Sequence, residues 1–597
     1  MHAGSGFFSA ARACRMVAAL ATLLWTRPAN AGAVLTAADV ERIIAQAVAE
    51  AERVRLQVTV AVVDHEGNVL GLFKMTDARD DITFRGFPKK AQSEAVFEMH
   101  QGLEGVLIGR VPLTGVLHVP GRCEGGQPTA PTELVRTGAA VAAISKAGTA
   151  AFFSTQGNAF TPRTAAFIIQ PHFPPGVKET ASGPLFGVQF SSLFGCSDVS
   201  SRLPLGLSGD AGGLPLYKRG RAVGGVGVEG DGIYTLDFDP RDDDVTKEEL
   251  IATAAARTFA APPHIRADQI LVGGLRLPFA NTRETSGRSP PAGFLTGKGT
   301  ALVGSVDAPP SRFRRARLGG VAGTVDPCFF PPVGSVDPPV AGGGLSAEDV
   351  SRILTRGARE ALRLRAAIRR PLGDHARVNI AVVDRGGGIL GIFRTLDAPV
   401  FGFDVSVQKA RATAFFSAPL AGEKLAALGN FTVRQFVGAA ASDGLHLDGR
   451  IAYTDRSIGF IARPFFPDDI DGTSPGALSR PVETWSVFND GLQVELLRPF
   501  FLSVVTGIPP ELPSTCTGLS ELKNGLQIFA GSMPLYRGST LIGAVGVSGD
   551  GIDQDDAVAA AAAGAGFGAP PALRADRVFV RGVRLPYFKL PRRPERR

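Results

Sequence analysis

Cysteine is scarce in this sequence: five occur in 597 residues, and no two lie within four residues of each other. The C-x-x-C spacing of zinc ribbons and dithiol redox centres is therefore missing. Histidine numbers eight, and no H-E-x-x-H pair places two of them on one helix face for a metal. No G-x-S-x-G elbow presents a serine nucleophile, and no acidic loop has the ligand order of an EF-hand. Beyond the N-terminus no window reaches the roughly 20 apolar residues that a spanning helix needs. No nucleic-acid module is recognisable. Metal-assisted hydrolysis, triad chemistry and nucleic-acid recognition thus lose their usual signatures.

What is present is a globular composition, with 44% hydrophobic and 20% charged residues, in a chain long enough for at least two domains. Residues 1–31 read as a secretory leader: Arg12 and Arg15, the apolar run from Met16 to Trp25, then Ala29-Asn30-Ala31 as an A-x-A cleavage site. A periplasmic or secreted protein is expected. Removing Arg12, Arg15 and Arg27 with the leader lowers the formal charge from +7 to +4. A basic tail at 591–597 reads as a solvated end. Cys123, Cys196, Cys328 and Cys516 remain after the leader, and in an oxidising compartment they are disulfide candidates with three connectivities open.

The chain repeats itself. "LTAADVERIIAQAVAEAERVR" at 35 returns as "LSAEDVSRILTRGAREALRLR" at 345, and "VTVAVVDHEGNVLGLFKMTDA" at 58 as "VNIAVVDRGGGILGIFRTLDA" at 378. "ISKAGTAAFFS" at 144 matches "VQKARATAFFS" at 407, and "GGLPLYKRGRAVGGVGVEGDG" at 212 matches "GSMPLYRGSTLIGAVGVSGDG" at 531. Matches in the same order predict two tandem domains, 33–280 and 343–590, the first with an insertion near 80–135. A Pro/Gly-rich linker, 281–342, lies between them, extended or draped over a domain.

Each unit reads as α+β. Thr36 with Asp39, and Ser346 with Asp349, are capping-box starts; Val58, Val60 and Val62 alternate as a strand that turns back into "VLGLFK". Gly225, Gly227 and Gly230 have the spacing G-x-G-x-x-G, but no helix pattern follows at once and Ala544 replaces Gly225 in the second unit. A dinucleotide site is thereby disfavoured, and glycines inside a strand point instead to close backbone approach or a bulge. Asp553, Asp555 and Asp556, just ahead of an alanine-rich run, read as acids favouring a helix N-terminus. Polar positions repeated in both units are Asp64/Asp384, Lys146/Lys409, Arg163/Arg456, Tyr217/Tyr536 and Arg266/Arg574. The helical lysines read as solvated in the absence of other information. None of the seven histidines beyond the leader is matched by a histidine in the other unit.

The order of helix, "AVVDxxGxxLGxF", "KAxTAxFF", "LPLYxxGxxxGxVGVxGDG" and alanine-rich helix resembles the GlcG-like or HbpS-like family of haem-binding domains, over both units. The resemblance implies an antiparallel sheet of about five strands flanked by helices, an intramolecular pseudo-dimer with a tendency to assemble further, and haem or a related planar small molecule as ligand. By position it implies ligand-binding roles for Lys146, Thr149, Gly213, Pro215 and Tyr217, and for Lys409, Thr413, Pro534 and Tyr536. Tyr217, Tyr536 or His65 are the candidates for an axial iron ligand, since tyrosine and histidine both ligate haem iron. The expected function is binding with little or no catalysis; a haem-degrading or redox enzyme, or a structural protein without a ligand pocket, are the alternatives.

Overall fold

The computed structural model describes residues 33–85, 103, 105–109, 137–200, 202–237, 244–282, 285, 287, 290–336, 343–481, 491–506 and 515–591. The leader, Cys123, most of the insertion and the end of the basic tail lie outside the described residues. Two halves share one element order. In the first, α1 (Ala37–Val54) is followed by β1 (Thr59–Asp64), β2 (Val69–Met75), α2 (Gly138–Phe153), α3 (Pro162–Ile168), β3 (Gly213–Lys218), β4 (Arg221–Glu229) and α4 (Lys247–Ala256). The connecting segment then contributes β5 (Gly299–Val303), β6 (Arg314–Leu318) and β7 (Val321–Val325). The second half repeats the plan with α5 (Ala347–Arg363), β8 (Val378–Asp384), β9 (Ile389–Thr395), α6 (Phe401–Phe416), α7 (Asp455–Phe460), β10 (Ser532–Arg537), β11 (Thr540–Gly549) and α8 (Ile552–Ala563).

The sheets are antiparallel, in the orders β5-β2-β1-β4-β3 and β6-β7-β9-β8-β11-β10. Both capping boxes form, Thr36 with Asp39 and Ser346 with Asp349. Successive residues of a strand face opposite sides of its sheet. Val60 and Val62 of β1 accordingly join Val40, Ile43 and Ile44 of α1 and Ile251 of α4 in one apolar layer, while Ala61 and Val63 join Ala143, Ala147 and Ala151 of α2 in the other. Helices therefore cover both faces, and β1 is buried along its whole length.

The glycine-rich strand has its explanation in this layering. A Cβ built on Gly225 would lie 2.0 Å from the carbonyl oxygen of Ala147, and one on Gly227 would lie 2.1 Å from that of Ala143. Gly546 stands in the same relation to Ser406 of α6, at 2.0 Å. The glycines let the central helix rest its backbone on the strand. No helix opens directly after them, because β4 is followed by the short strand Ile233–Tyr234 and α4 begins only at Lys247; the dinucleotide reading has no structural basis.

The described residues of the segment 281–342 are more ordered than a linker. β5 adds to the edge of β2, Ala308 N donates to Leu35 O (2.9 Å), and the β6–β7 hairpin adds to the edge of β9. It drapes from one sheet to the other and completes both. Cys328, within it, is disulfide-bonded.

The halves are joined by a buried polar seam. Asp404 of α6 accepts from Ser192 N (2.6 Å), from the Ser197 hydroxyl and from Asn524 Nδ2 (3.0 Å). The Arg411 guanidinium donates to both carboxylate oxygens of Asp198 (2.6 and 2.7 Å) and to Asn524 Oδ1 (2.6 Å). Cys196 and Cys516 form a disulfide across 320 residues of sequence, and Phe153 of α2 packs on Phe401 of α6 at 4.5 Å between ring centres. Gly227→Ala is expected to destabilise the protein by about 2 kcal/mol or more through overpacking. Gly438→Ala, exposed on the helix Phe431–Ser442 with nothing within 4 Å of its added methyl, should stabilise it by about 0.5–1 kcal/mol through helix propensity. Calorimetry of the two variants reads both signs.

Candidate functional site

The repeated lysines are not solvated. Lys146 sits in the middle of α2, which lies flat on the sheet, and is fully buried. Its ammonium meets Glu248 Oε2 at 2.5 Å, Asp210 Oδ2 at 2.9 Å and Glu229 Oε2 at 2.9 Å. Glu229 ends β4, Glu248 opens α4, and Glu248 Oε1 also accepts from the backbone N–H groups of Gly230 (2.5 Å) and Asp231 (3.0 Å). Three carboxylates around one ammonium leave excess negative charge in a dry place, which burial resists. Burial, together with Asp210, raises Glu229 to about 7 against the pull of Lys146; burial and Glu229 raise Glu248 to about 8. Burial likewise holds Asp210 well above the carboxylate range. Burial alone would lower Lys146, but the carboxylates outweigh it and keep the ammonium well above its ordinary value. A lysine nucleophile needs the opposite shift. Asp210, Glu229 and Glu248 have oxygens close enough to hold a metal ion, but the Lys146 ammonium occupies the point they converge on.

Lys409 holds the same place in the second half with a different balance. It donates to Val547 O (2.8 Å) and Asp555 Oδ2 (3.0 Å) and lies 4.5 Å from the centre of the Phe529 ring. Counting from the repeated "PLY", Phe529 stands where Asp210 does and Ser548 where Glu229 does. Next to this pair, Arg163 binds Glu249 through Nε (2.8 Å), and Arg456 binds Asp556 in the same manner. Asp553 binds Arg456 Nη2 at 2.7 Å. The acids at the start of α8 thus serve as partners for a buried lysine and arginine; the helix has Gly551 at its N-cap and no side-chain cap.

The remaining ligand candidates named from sequence are buried, His65 partly so. Thr149 donates to Ser145 O (2.8 Å) and accepts from Ser208 N (2.6 Å), whereas Thr413, one helix position later, bonds the Ser532 hydroxyl. Gly213 and Pro215 line β3 and Pro534 lies on β10, all buried. Tyr217 Oη bonds Thr155 O (2.7 Å) and Asn158 O (2.9 Å), tying β3 to the loop after α2. Tyr536 packs with Ala452 and Leu541, and burial raises its hydroxyl to about 12. His65 Nε2 lies 3.0 Å from Ser154 O, and burial holds the imidazole below its usual value. These three side chains, named as axial candidates, are held by the fold itself, with 4% exposure for Tyr217 and 2% for Tyr536.

A ligand-sized depression lies elsewhere. A groove of about 620 Å³ runs along the outer face of α5, lined by Glu348, Arg352, Arg356, Arg359 and Arg363 among others, with Ala561 of α8 on its wall. The apolar residues Ile353, Leu354, Ala358 and Ala361 turn the opposite face of α5 to the core. The period of 3.6 residues that buries them also aligns the arginines in one exposed row. The periodicity is legible in "SRILTRGAREALRLR", whereas the motifs repeated in both units lie in the interior.

A family model described as "Haem degrading protein HbpS-like" matches residues 506–564. No curated protein matches the chain. Solved structures similar to it include a PduOC:haem complex (16% identity, 38% of this chain and 94% of the other, TM-score 0.19) and the Klebsiella pneumoniae protein ORFY (17%, 38% and 90%, 0.19). HbpS is similar at 18% identity, over 38% of this chain and 92% of its own, with a TM-score of 0.18.

The cluster sets a pH dependence. Native Glu229 and Glu248 hold protons that the unfolded chain releases above its ordinary carboxylate value of 4.5, so stability falls as pH rises from about 4.5 to about 8. Chemical unfolding across pH 5–9 should show this slope, and Glu248→Gln should flatten it. Lys146→Met, which leaves the carboxylates without their cation, should cost about 3–5 kcal/mol.

Proposed function

We propose that this chain binds haem or a related tetrapyrrole-type small molecule, and does so in an exported compartment. The observation that carries the reading is the α5 groove, whose volume of about 620 Å³ falls within the range of roughly 300–1,000 Å³ usual for small-ligand sites. The HbpS-like match supports it, because residues 506–564 include β10, β11 and α8, the helix that supplies one groove wall. The disulfide Cys196–Cys516 fits an oxidising compartment, and among the described residues no helix is long and apolar enough to cross a membrane.

The interior clusters favour binding over catalysis. Lys146 and Lys409 are engaged by carboxylates, and the tyrosines are packed in the core. The description of the matching family names degradation, and this supports an enzymatic second reading.

Titrating the mature protein with haemin should give a saturable Soret shift and raise the midpoint of thermal unfolding. No spectral change and no stabilisation would overturn the binding reading in favour of a structural role. Loss of the Soret band on adding reductant in air, faster than for free haemin, would establish the degradative reading instead.

A further inference from the structure

The groove contains four arginines against two glutamates, Glu348 and Glu360, and no iron ligand of the usual kinds. Its lining is Glu348, Ser351, Arg352, Thr355, Arg356, Arg359, Glu360, Arg363 and Ala561; histidine, cysteine, methionine and tyrosine, the side chains that hold haem iron, are all missing from it. The arginines stand at i, i+4, i+7 and i+11, a row of about 16 Å at the rise of an α-helix. Two are already engaged: Arg352 pairs with Asp349 (2.7 Å), and Arg359 donates to Gly319 O (2.8 Å). Among the described residues Arg356 and Arg363 make no hydrogen bond or ion pair, and both are exposed.

We propose that the α5 row recognises a flat tetrapyrrole through its peripheral carboxylates and the face of its ring, without ligating the central metal. This rests on the tetrapyrrole reading above. A guanidinium presents a planar fork that pairs with a carboxylate through two hydrogen bonds, and it also stacks on a flat π-system. Arginine stems and Ala561 supply apolar surface for the ring. Arg356 and Arg363, two turns apart, are the pair free to take two carboxylates, while Arg352 and Arg359 are held in the row by their own partners.

The row exists in one half only. At the matching positions of α1 stand Arg42, Gln46, Ala49 and Arg53. Arg53 is neutralised by Glu50, and Gln46 is buried and donates to Thr258 Oγ1 (2.7 Å). Both free positions of the row are therefore lost in the first half, and one ligand per chain follows.

The test compares haemin, metal-free protoporphyrin IX and protoporphyrin IX dimethyl ester on the full mature chain, in one low-detergent buffer, by fluorescence quenching and absorbance. Haemin and the free porphyrin should bind within about threefold of each other at one site per chain, and the ester about tenfold or more weaker, because each charge-assisted pair is worth about that factor. Arg356→Glu with Arg363→Glu should weaken both acids by at least about tenfold, with unfolding temperature unchanged, and the double lysine variant should recover part of the loss. Haemin binding that is unchanged by charge reversal, or that is much tighter than porphyrin binding with a ligand-field band of coordinated iron, would overturn this assignment while leaving tetrapyrrole binding standing. Failure of all three probes would overturn both.

Discussion

The backbone contact between each central helix and its glycine-bearing strand governs the rest of this fold. Where α2 crosses β4, the carbonyl oxygens of Ala143 and Ala147 occupy the space that side chains on Gly227 and Gly225 would need. A helix held that close has its middle turns sealed from water, so every residue of α2 is buried, Lys146 included. A sealed ammonium requires carboxylates, and they come from the end of β4, from the loop before β3 and from the first turn of α4. The helix–strand contact thereby dictates an electrostatic cluster, and the cluster positions α4 against the sheet. In the second half Gly546 and Lys409 repeat the arrangement with Asp555 on α8.

Much of the scaffold was legible because it rests on local pattern. The capping boxes at Thr36 and Ser346, the alternation in β1 and its hairpin into "VLGLFK" depend on neighbouring residues, and the structure has each of them. The glycine spacing correctly pointed to close approach once its second appearance had lost a glycine to Ala544. What the sequence could not show was set by tertiary contact. The burial of Lys146 depends on how near α2 lies to the sheet, and the strands in 281–342 are short segments, one paired on the edge of β2 and two paired with each other on the edge of β9. The groove on α5 was hidden for a different reason: exposed arginines on an amphipathic helix read as a solvated face, and the depression beside them depends on where α8 packs.

The two halves differ where they meet each other. Gly148 of α2 lets Leu203 pack against the helix, since an added Cβ would lie 2.1 Å from Leu203 Cδ2. At the matching position of α6 stands Arg411, which reaches across to Asp198 of the first half with both arms of its guanidinium. One half supplies space and a carboxylate, the other a long cation, so the pairing is directional. Asp404, Gln408 and Asn524 extend the same seam, each bonded to a partner across the chain or beside it. A polar network whose members satisfy one another specifies a single arrangement of the halves more sharply than apolar contact does, and the Cys196–Cys516 bond closes it covalently.

The two outer helices also differ in what lies against them. Phe294 and Leu295 of the connecting segment pack on the apolar layer that includes α1, and Lys298 pairs with Glu52 of that helix. The same segment then leaves for the second sheet, where its β6–β7 hairpin joins β9 and Gly319 at the hairpin turn accepts from Arg359. The connection therefore lies against α1 in the first half, and in the second its hairpin meets α5 at Arg359 and Thr355 while Arg352, Arg356 and Arg363 stay exposed. Two like units joined by a featureless tether would present two like faces. A connection that completes both sheets cannot lie symmetrically on both, and this asymmetry adds to the difference in sequence that gives α5 a row of arginines where α1 has Arg42, Gln46, Ala49 and Arg53.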